Sequence, residues 1–247
     1  MIPLRDNVKT QQLPLANYLL IAVNIAVFAH ELTLGDALSS FVQEFGLIPW
    51  EMTRGIEQDG FSVHRHIVPW FSAMFVHGGW LHLISNLWFL HIFGDNVEDR
   101  LGKGRFLVLY LSGGLVAGLA QVIVGPSSDV PMVGASGAIS AVVGAYLLFY
   151  PRARVLTLIP IFILFYFAQI PAFVFIGIWF FIQVLYGQAA LNEATGGGGV
   201  AWWAHIGGFL SGLLLALVLR TGTHAPQVIE FKGRRVSPFG GARGKKG

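Results

Sequence analysis

The stretch VLTLIPIFILFYFAQIPAFVFIGIWFFIQVLYGQA, from Val155 to Ala189, decides the fold. It is longer than a single membrane crossing requires, since about 20 apolar residues span a bilayer core. Pro160 and Pro171 interrupt it, and each removes a helix donor. It therefore reads either as two short spans or as one span preceded by a re-entrant or interfacial piece. The choice sets the side on which everything after it lies.

The other apolar stretches run roughly 16–34, 75–94, 105–125, 134–150 and 201–219. One crossing in the long stretch makes six spans. Arg5, Lys9, Arg100, Lys103, Arg105, Arg152, Arg154, Arg220 and the tail from Lys232 to Lys246 then fall on one side. The other side holds only Arg54 and Arg65 among several acids, so the positive-inside rule makes both termini cytoplasmic. Two crossings would carry the basic tail outside and separate Ser136 from His205 across the bilayer. Charge and chemistry agree on six.

Composition supports the same class. Charged residues are only 12% of the 247 and hydrophobic ones 54%, with mean hydropathy +0.64, which excludes a soluble domain with a charged surface. The formal charge of +3 sits in short loops and the tail, as topology demands, and does not form a nucleic-acid footprint. Without cysteine, disulfides, thiolate nucleophiles and Cys-ligated metals are excluded. Arg5 and Lys9 before an apolar stretch resemble a signal peptide. Asn17, Asn24 and the lack of a cleavage site before Glu31 point instead to an uncleaved first span.

The expected organisation is a cytoplasmic segment over 1–15, an all-α six-helix membrane domain over 16–220 and a basic, disordered cytoplasmic tail over 221–247. The loop over about 35–70 is too long for a plain connector. It carries Phe41, Phe45, Leu47, Ile48 and Trp50, and is expected to lie partly in the outer interface. Gly196 to Gly199 read as a flexible run before the interfacial Trp202 and Trp203.

With six spans, polar groups converge at the outer face. Ser136 stands in Gly134-Ala135-Ser136-Gly137 where a polar loop enters span four, and His205 begins span six. A lone serine in a membrane helix is ordinarily a packing residue. Here the flanking glycines permit a tight turn, and the helix N-terminus offers backbone donors to a developing oxyanion. Ala204, Gly208 and Gly212 form a small-residue stripe at four-residue spacing. Gly137, Ala141 and Ala145 form its match on span four, so close packing would hold the imidazole near the hydroxyl as general-base activation needs. With no acid obvious nearby, a dyad is expected.

His82 and Asn86 share one face of span two, either as interhelical glue or as oxyanion donors. His64, His66, His77 and His91 lack comparable convergence and read as interfacial or packing residues. Histidines at 82, 91 and 205 within spans leave a haem with paired axial histidines as a minor alternative, but His82 and His91 are on opposing faces and no HExxH is present, so neither metal nor cofactor is expected.

The run HGGWLHLISNLWFLHIFGDNVEDRLG (77–102), then GASG (134–137), then AHIGG (204–208) resembles the rhomboid family of intramembrane serine proteases, over roughly 16–220. The resemblance implies a six-helix bundle around a water-filled cavity open to the outer side. Ser136 would be nucleophile and His205 its base. His82, Asn86 and the Ser136 amide would form the oxyanion hole, and Glu98 would fall in a helix-stabilising stretch after span two. It also implies lateral substrate entry between spans two and five, with Trp179 and Phe180 as candidate gate residues. Two positions depart from the family pattern: its first-loop Trp-Arg pair falls on Val68-Pro69, and a tyrosine that stacks on the histidine in some relatives is Ser140.

The function expected is hydrolysis of transmembrane protein substrates in a lipid bilayer, with lack of a transit peptide and short loops favouring a bacterial inner membrane. The alternative is a non-catalytic relative that binds membrane clients. A transporter is disfavoured because the polar groups gather at one face.

Overall fold

The computed structural model describes residues 1–191, 200–220 and 227–228. Among the described residues there are six long helices: α1 (Leu15–Glu31), α2 (Trp80–Leu101), α3 (Lys103–Val124), α4 (Ser136–Phe149), α5 (Ala172–Leu191) and α6 (Trp202–Leu219). By length and apolarity α3, α5 and α6 can each cross a bilayer alone. Helix α1 passes together with the segment Gly35–Phe45, from which it is bent by 119°. Helix α4 is apolar but has 14 residues, and α2 ends in the charged run Asp95-Asn96-Val97-Glu98-Asp99-Arg100.

The long apolar stretch holds one helix, α5. What precedes it corrects the all-α expectation: Arg154–Ile161 (β2) and Leu164–Pro171 (β3) form an antiparallel hairpin, and Ile2–Asp6 (β1) pairs with β2. Valine, threonine, isoleucine and aromatic side chains fit a pleated surface better than a helix, and two prolines forbid a continuous helical ladder. Pro160 lies beyond the reach of β1, whose register covers Val155 to Leu158, so its missing donor falls on a free edge.

Helix α1 follows Pro14. Its first turn is capped from α2: the amides of Ala16 and Asn17 donate to the Glu98 carboxylate at 3.0 and 2.7 Å. A carboxylate on the positive end of a helix dipole satisfies both the charge and the orphan donors. Asn17 and Asn24, polar residues of an apolar helix, are fully buried, and Gly94 of α2 gives Asn17 its room. Gly102, at φ +77°, alone separates α2 from α3, a turn that suits a residue without Cβ.

Helix α6 packs more extensively on α4 and α3 than any other helices do on each other. The region between α1 and α2 is largely built of short helical segments, with Leu47 and Ile48 buried and Leu47 bridged to Met132. Gly196 to Gly199 and most of the tail lie outside the described residues. Of the tail, Gln227–Val228 pairs with Val8–Lys9.

Candidate active site

Ser136 is the first residue of α4. Gly134 before it sits at φ +117°, a conformation side chains resist, and its amide is pinned to the Ala73 carbonyl at 2.8 Å. The serine thus stands at a fixed corner, where first-turn amides have no acceptor within the helix.

His205 lies in the first turn of α6, and its Nε2 is 2.7 Å from the Ser136 Oγ. The spacing depends on how near the two helices come. A Cβ at Gly208 would collide with the Gly137 carbonyl, one at Gly212 with Ala141, and one at Gly144 with the Phe209 carbonyl. At Gly137 a Cβ would meet Ala117 of α3 at 2.7 Å. Small residues let backbones touch, and the backbones carry the two side chains together.

The other ring nitrogen of His205 has a partner that the sequence reading missed. Its Nδ1 is 2.8 Å from Gln183 Oε1, on α5. Gln183 is buried, and its Nε2 donates to the Trp179 carbonyl at 3.1 Å, one turn earlier. With the amide NH₂ turned to Trp179, the oxygen faces the imidazole. Nδ1 therefore carries the proton, and Nε2 is left as acceptor for the serine hydroxyl. A polar side chain in an uncharged apolar helix was the available signal.

His82 and Asn86 of α2 both face Gly134: a Cβ there would run into the His82 ring and come within 3.7 Å of Asn86 Nδ2. The Gly78 amide makes a long hydrogen bond, 3.4 Å, to His82 Nδ1, which leaves the proton on Nε2, the atom turned toward Gly134. Asn86 Nδ2 donates one hydrogen to the His82 carbonyl at 2.9 Å, leaving its second available. Two donors thus flank the corner from which the serine projects.

Of its two expected roles, interfacial or packing, His77 takes the second, and it packs beside the site. It is buried, its ring centroid lies 5.2 Å from that of His82, and its amide donates to Glu31 at 3.0 Å, so it supports the site. The chain doubles back before α2, a geometry no helical periodicity could display. His64 instead pairs with Glu44 at 2.7 Å, and His66 bonds Ser62.

Trp179 and Phe180 are half-buried, not free at a lipid edge. The Trp179 ring lies 6.5 Å from Phe89 of α2 and 6.3 Å from His205, while Phe180 stacks on Phe209 at 4.5 Å. Ser140 turns its hydroxyl to the Ser136 carbonyl at 2.7 Å, and the rings beside His205 are Trp179 and Trp202.

A cavity of about 890 Å³ opens above these groups, lined by His82, Asn86, Ser136, His205, Gln121 and Trp203 among others. It lies between the ends of α3 and α6 that are remote from Lys103 and Arg220. One end of the bundle is thus hollow, with these polar side chains gathered in a lining that is otherwise largely apolar.

The family model for the Rhomboid domain matches residues 64–222, which include His82, Asn86, Ser136, Gln183 and His205. Rhomboid-like protein 11, chloroplastic, of Arabidopsis thaliana is 33% identical over 138 residues, 55% of this chain and 42% of its own length. Putative rhomboid protease YdcA of Bacillus subtilis is 36% identical over 76 residues, 31% of this chain and 38% of its own. Rhomboid protein 1, mitochondrial, of Saccharomyces cerevisiae is 27% identical over 206 residues, 80% of this chain and 51% of its own, so the chain spans at most about half the length of these three relatives. With a match over more than half its length, the chain is an integral membrane protein of the rhomboid family.

Proposed function

We propose that the chain is an intramembrane serine endopeptidase that hydrolyses peptide bonds of transmembrane proteins with a Ser136–His205 dyad. The observation that carries this reading is the 2.7 Å approach of His205 Nε2 to Ser136 Oγ. As Oγ attacks the scissile carbonyl, its proton passes to Nε2. The tetrahedral oxyanion takes hydrogen bonds from the Ser136 amide, His82 Nε2 and Asn86 Nδ2. Collapse expels the amine with that proton and leaves an acyl-serine, which water then hydrolyses by the same base. Gln183 is a positioning residue that holds the imidazole in the tautomer the attack needs.

In this reading all six long helices cross the membrane, both termini face the cytoplasm and the first loop lies partly in the outer interface. Lysine and arginine gather at the inner end. Helix α4 rises only about 21 Å against a hydrocarbon core of about 30 Å. With its far end beside Arg152, Ser136 sits on the order of 10 Å below the outer edge. Water reaches it through the cavity, and substrate enters sideways between α2 and α5, past Trp179. Helix-breaking or small residues in the substrate would ease the local unwinding that exposes a peptide bond. The membrane proposed is a bacterial inner membrane; proteins of Bacillus subtilis named as rhomboid proteases match part of this chain.

Cleavage of a single-span substrate in liposomes tests this. Wild type should cleave and label with a fluorophosphonate, while Ser136→Ala and His205→Ala should do neither. Folded wild-type protein that neither cleaves nor labels would favour a client-binding, non-catalytic role.

A further inference from the structure

The β2–β3 hairpin has no part in the site, yet it holds the most exposed apolar surface of the described residues. Between Arg154 and Glu193 the chain has no charged residue. The base of the hairpin is anchored: β1 covers β2, Val155 and Thr157 are fully buried, and the Ala172 and Phe173 amides bond the Ala153 and Pro151 carbonyls at 2.7 and 3.1 Å. Beyond β1 it stands clear of the protein.

Strand register places Leu158, Pro160, Phe165 and Phe167 on one face and Ile159, Ile161, Leu164 and Tyr166 on the other. Both faces are open, with Phe167 67% and Leu164 55% exposed. At the two-residue turn Phe162 is 99% exposed and takes φ +52°, a conformation normally left to glycine or asparagine. A bulky ring in that strained position, in full contact with water, would be penalised twice. Surrounded by hydrocarbon it loses one of those penalties.

We infer that this hairpin is a lipid-inserting blade, its tip buried at the headgroup–acyl boundary of the leaflet on the basic side of the bundle. A docked protein would cover one face of a two-stranded ribbon, whereas lipid covers both. Its surface continues into the exposed Phe173, Ile178 and Phe181 of α5, the apolar side of a membrane helix. Exposed Arg152 and Arg154 at its base match anionic headgroups. Because Pro171 leads directly into Ala172, the blade ties the inner end of α5 to the bilayer. The inference rests on the bundle's place in the membrane and not on its chemistry, so an inactive enzyme would serve equally in the test.

The chain has no cysteine, which permits single-site labelling. Phe162→Cys, carrying an NBD fluorophore, is compared with the identically labelled, exposed Asp129→Cys in nanodiscs of phosphatidylethanolamine and phosphatidylglycerol. Nitroxide lipids labelled near the top of the acyl chain should quench position 162 strongly, and aqueous iodide should quench it several-fold less than position 129. Equal iodide quenching at both sites, without lipid quenching, would place the tip in water and overturn the blade. Protection at 162 from both quenchers would also overturn it, in favour of a protein partner or a second copy.

Discussion

Gln183 Oε1 lies 2.8 Å from His205 Nδ1, so the helix proposed to border the substrate's entry also holds the imidazole of the proposed dyad. Under that proposal, opening α5 to admit substrate and aligning His205 are opposed motions, because the Gln183 contact is made only with α5 in place. Gln183→Leu is expected to lower kcat by about 10–10²-fold with KM unchanged, because it removes orientation and not binding. Gln183→Glu, which keeps the acceptor, should recover most of that loss. Equal activity in Gln183→Leu and wild type would show that the tautomer is held by other means.

For the proposed oxyanion donors, His82→Ala and Asn86→Ala should each reduce turnover by about 10–10³-fold while leaving some fluorophosphonate labelling. Unchanged turnover in the double variant would reduce both to interhelical glue.

Helices α4 and α6 meet backbone to backbone where Gly212 faces Ala141, and no side chain can retreat to make room. Gly212→Val should therefore destabilise the protein by about 1–3 kcal/mol or more and depress cleavage through a displaced His205. Thermal unfolding in detergent measures the first effect. A variant as stable and active as wild type would show that the helices can part there freely.

Trp179 spans the space between Phe89 of α2 and His205. Trp179→Ala should raise the rate on a transmembrane substrate more than on a small soluble ester, since only the former requires α5 to open. Its backbone carbonyl, which holds Gln183, is retained. Equal effects on both substrates would remove Trp179 from the gate.

Asp6, in β1, accepts hydrogen bonds from Tyr146 and Asn96, yet burial pushes its carboxyl up to about 6. A raised carboxyl means that the folded state binds more protons than the unfolded one between the ordinary value and about 6. Stability should then fall as pH rises through that window, by about 3 kcal/mol, from the roughly two-unit shift. Asp6→Asn should flatten this decline between pH of about 4 and 6. A melting temperature that tracks wild type throughout the window would rule the carboxyl out.

What the linear chain determined was what depends on composition and local order: a membrane protein, one helix in the stretch 155–189, and family membership through three motifs in sequence. The first rests on apolar run length; the second rests on the sorting of lysine and arginine to one side, since the prolines alone left two spans open; the third rests on motifs read a few residues at a time. The chemical types at Ser136, His205, His82 and Asn86 were visible for the same reason. The tertiary structure alone decided the rest. The hairpin needed its register and the cover of β1 from the far end of the chain, because strand pairing is non-local and a short apolar run reads alike as helix or strand. Gln183 and His77 reach the site only through packing of α5 on α6 and a chain reversal before α2. A histidine is oriented by whichever atom lies within hydrogen-bond reach, and that neighbour is chosen by the fold in space.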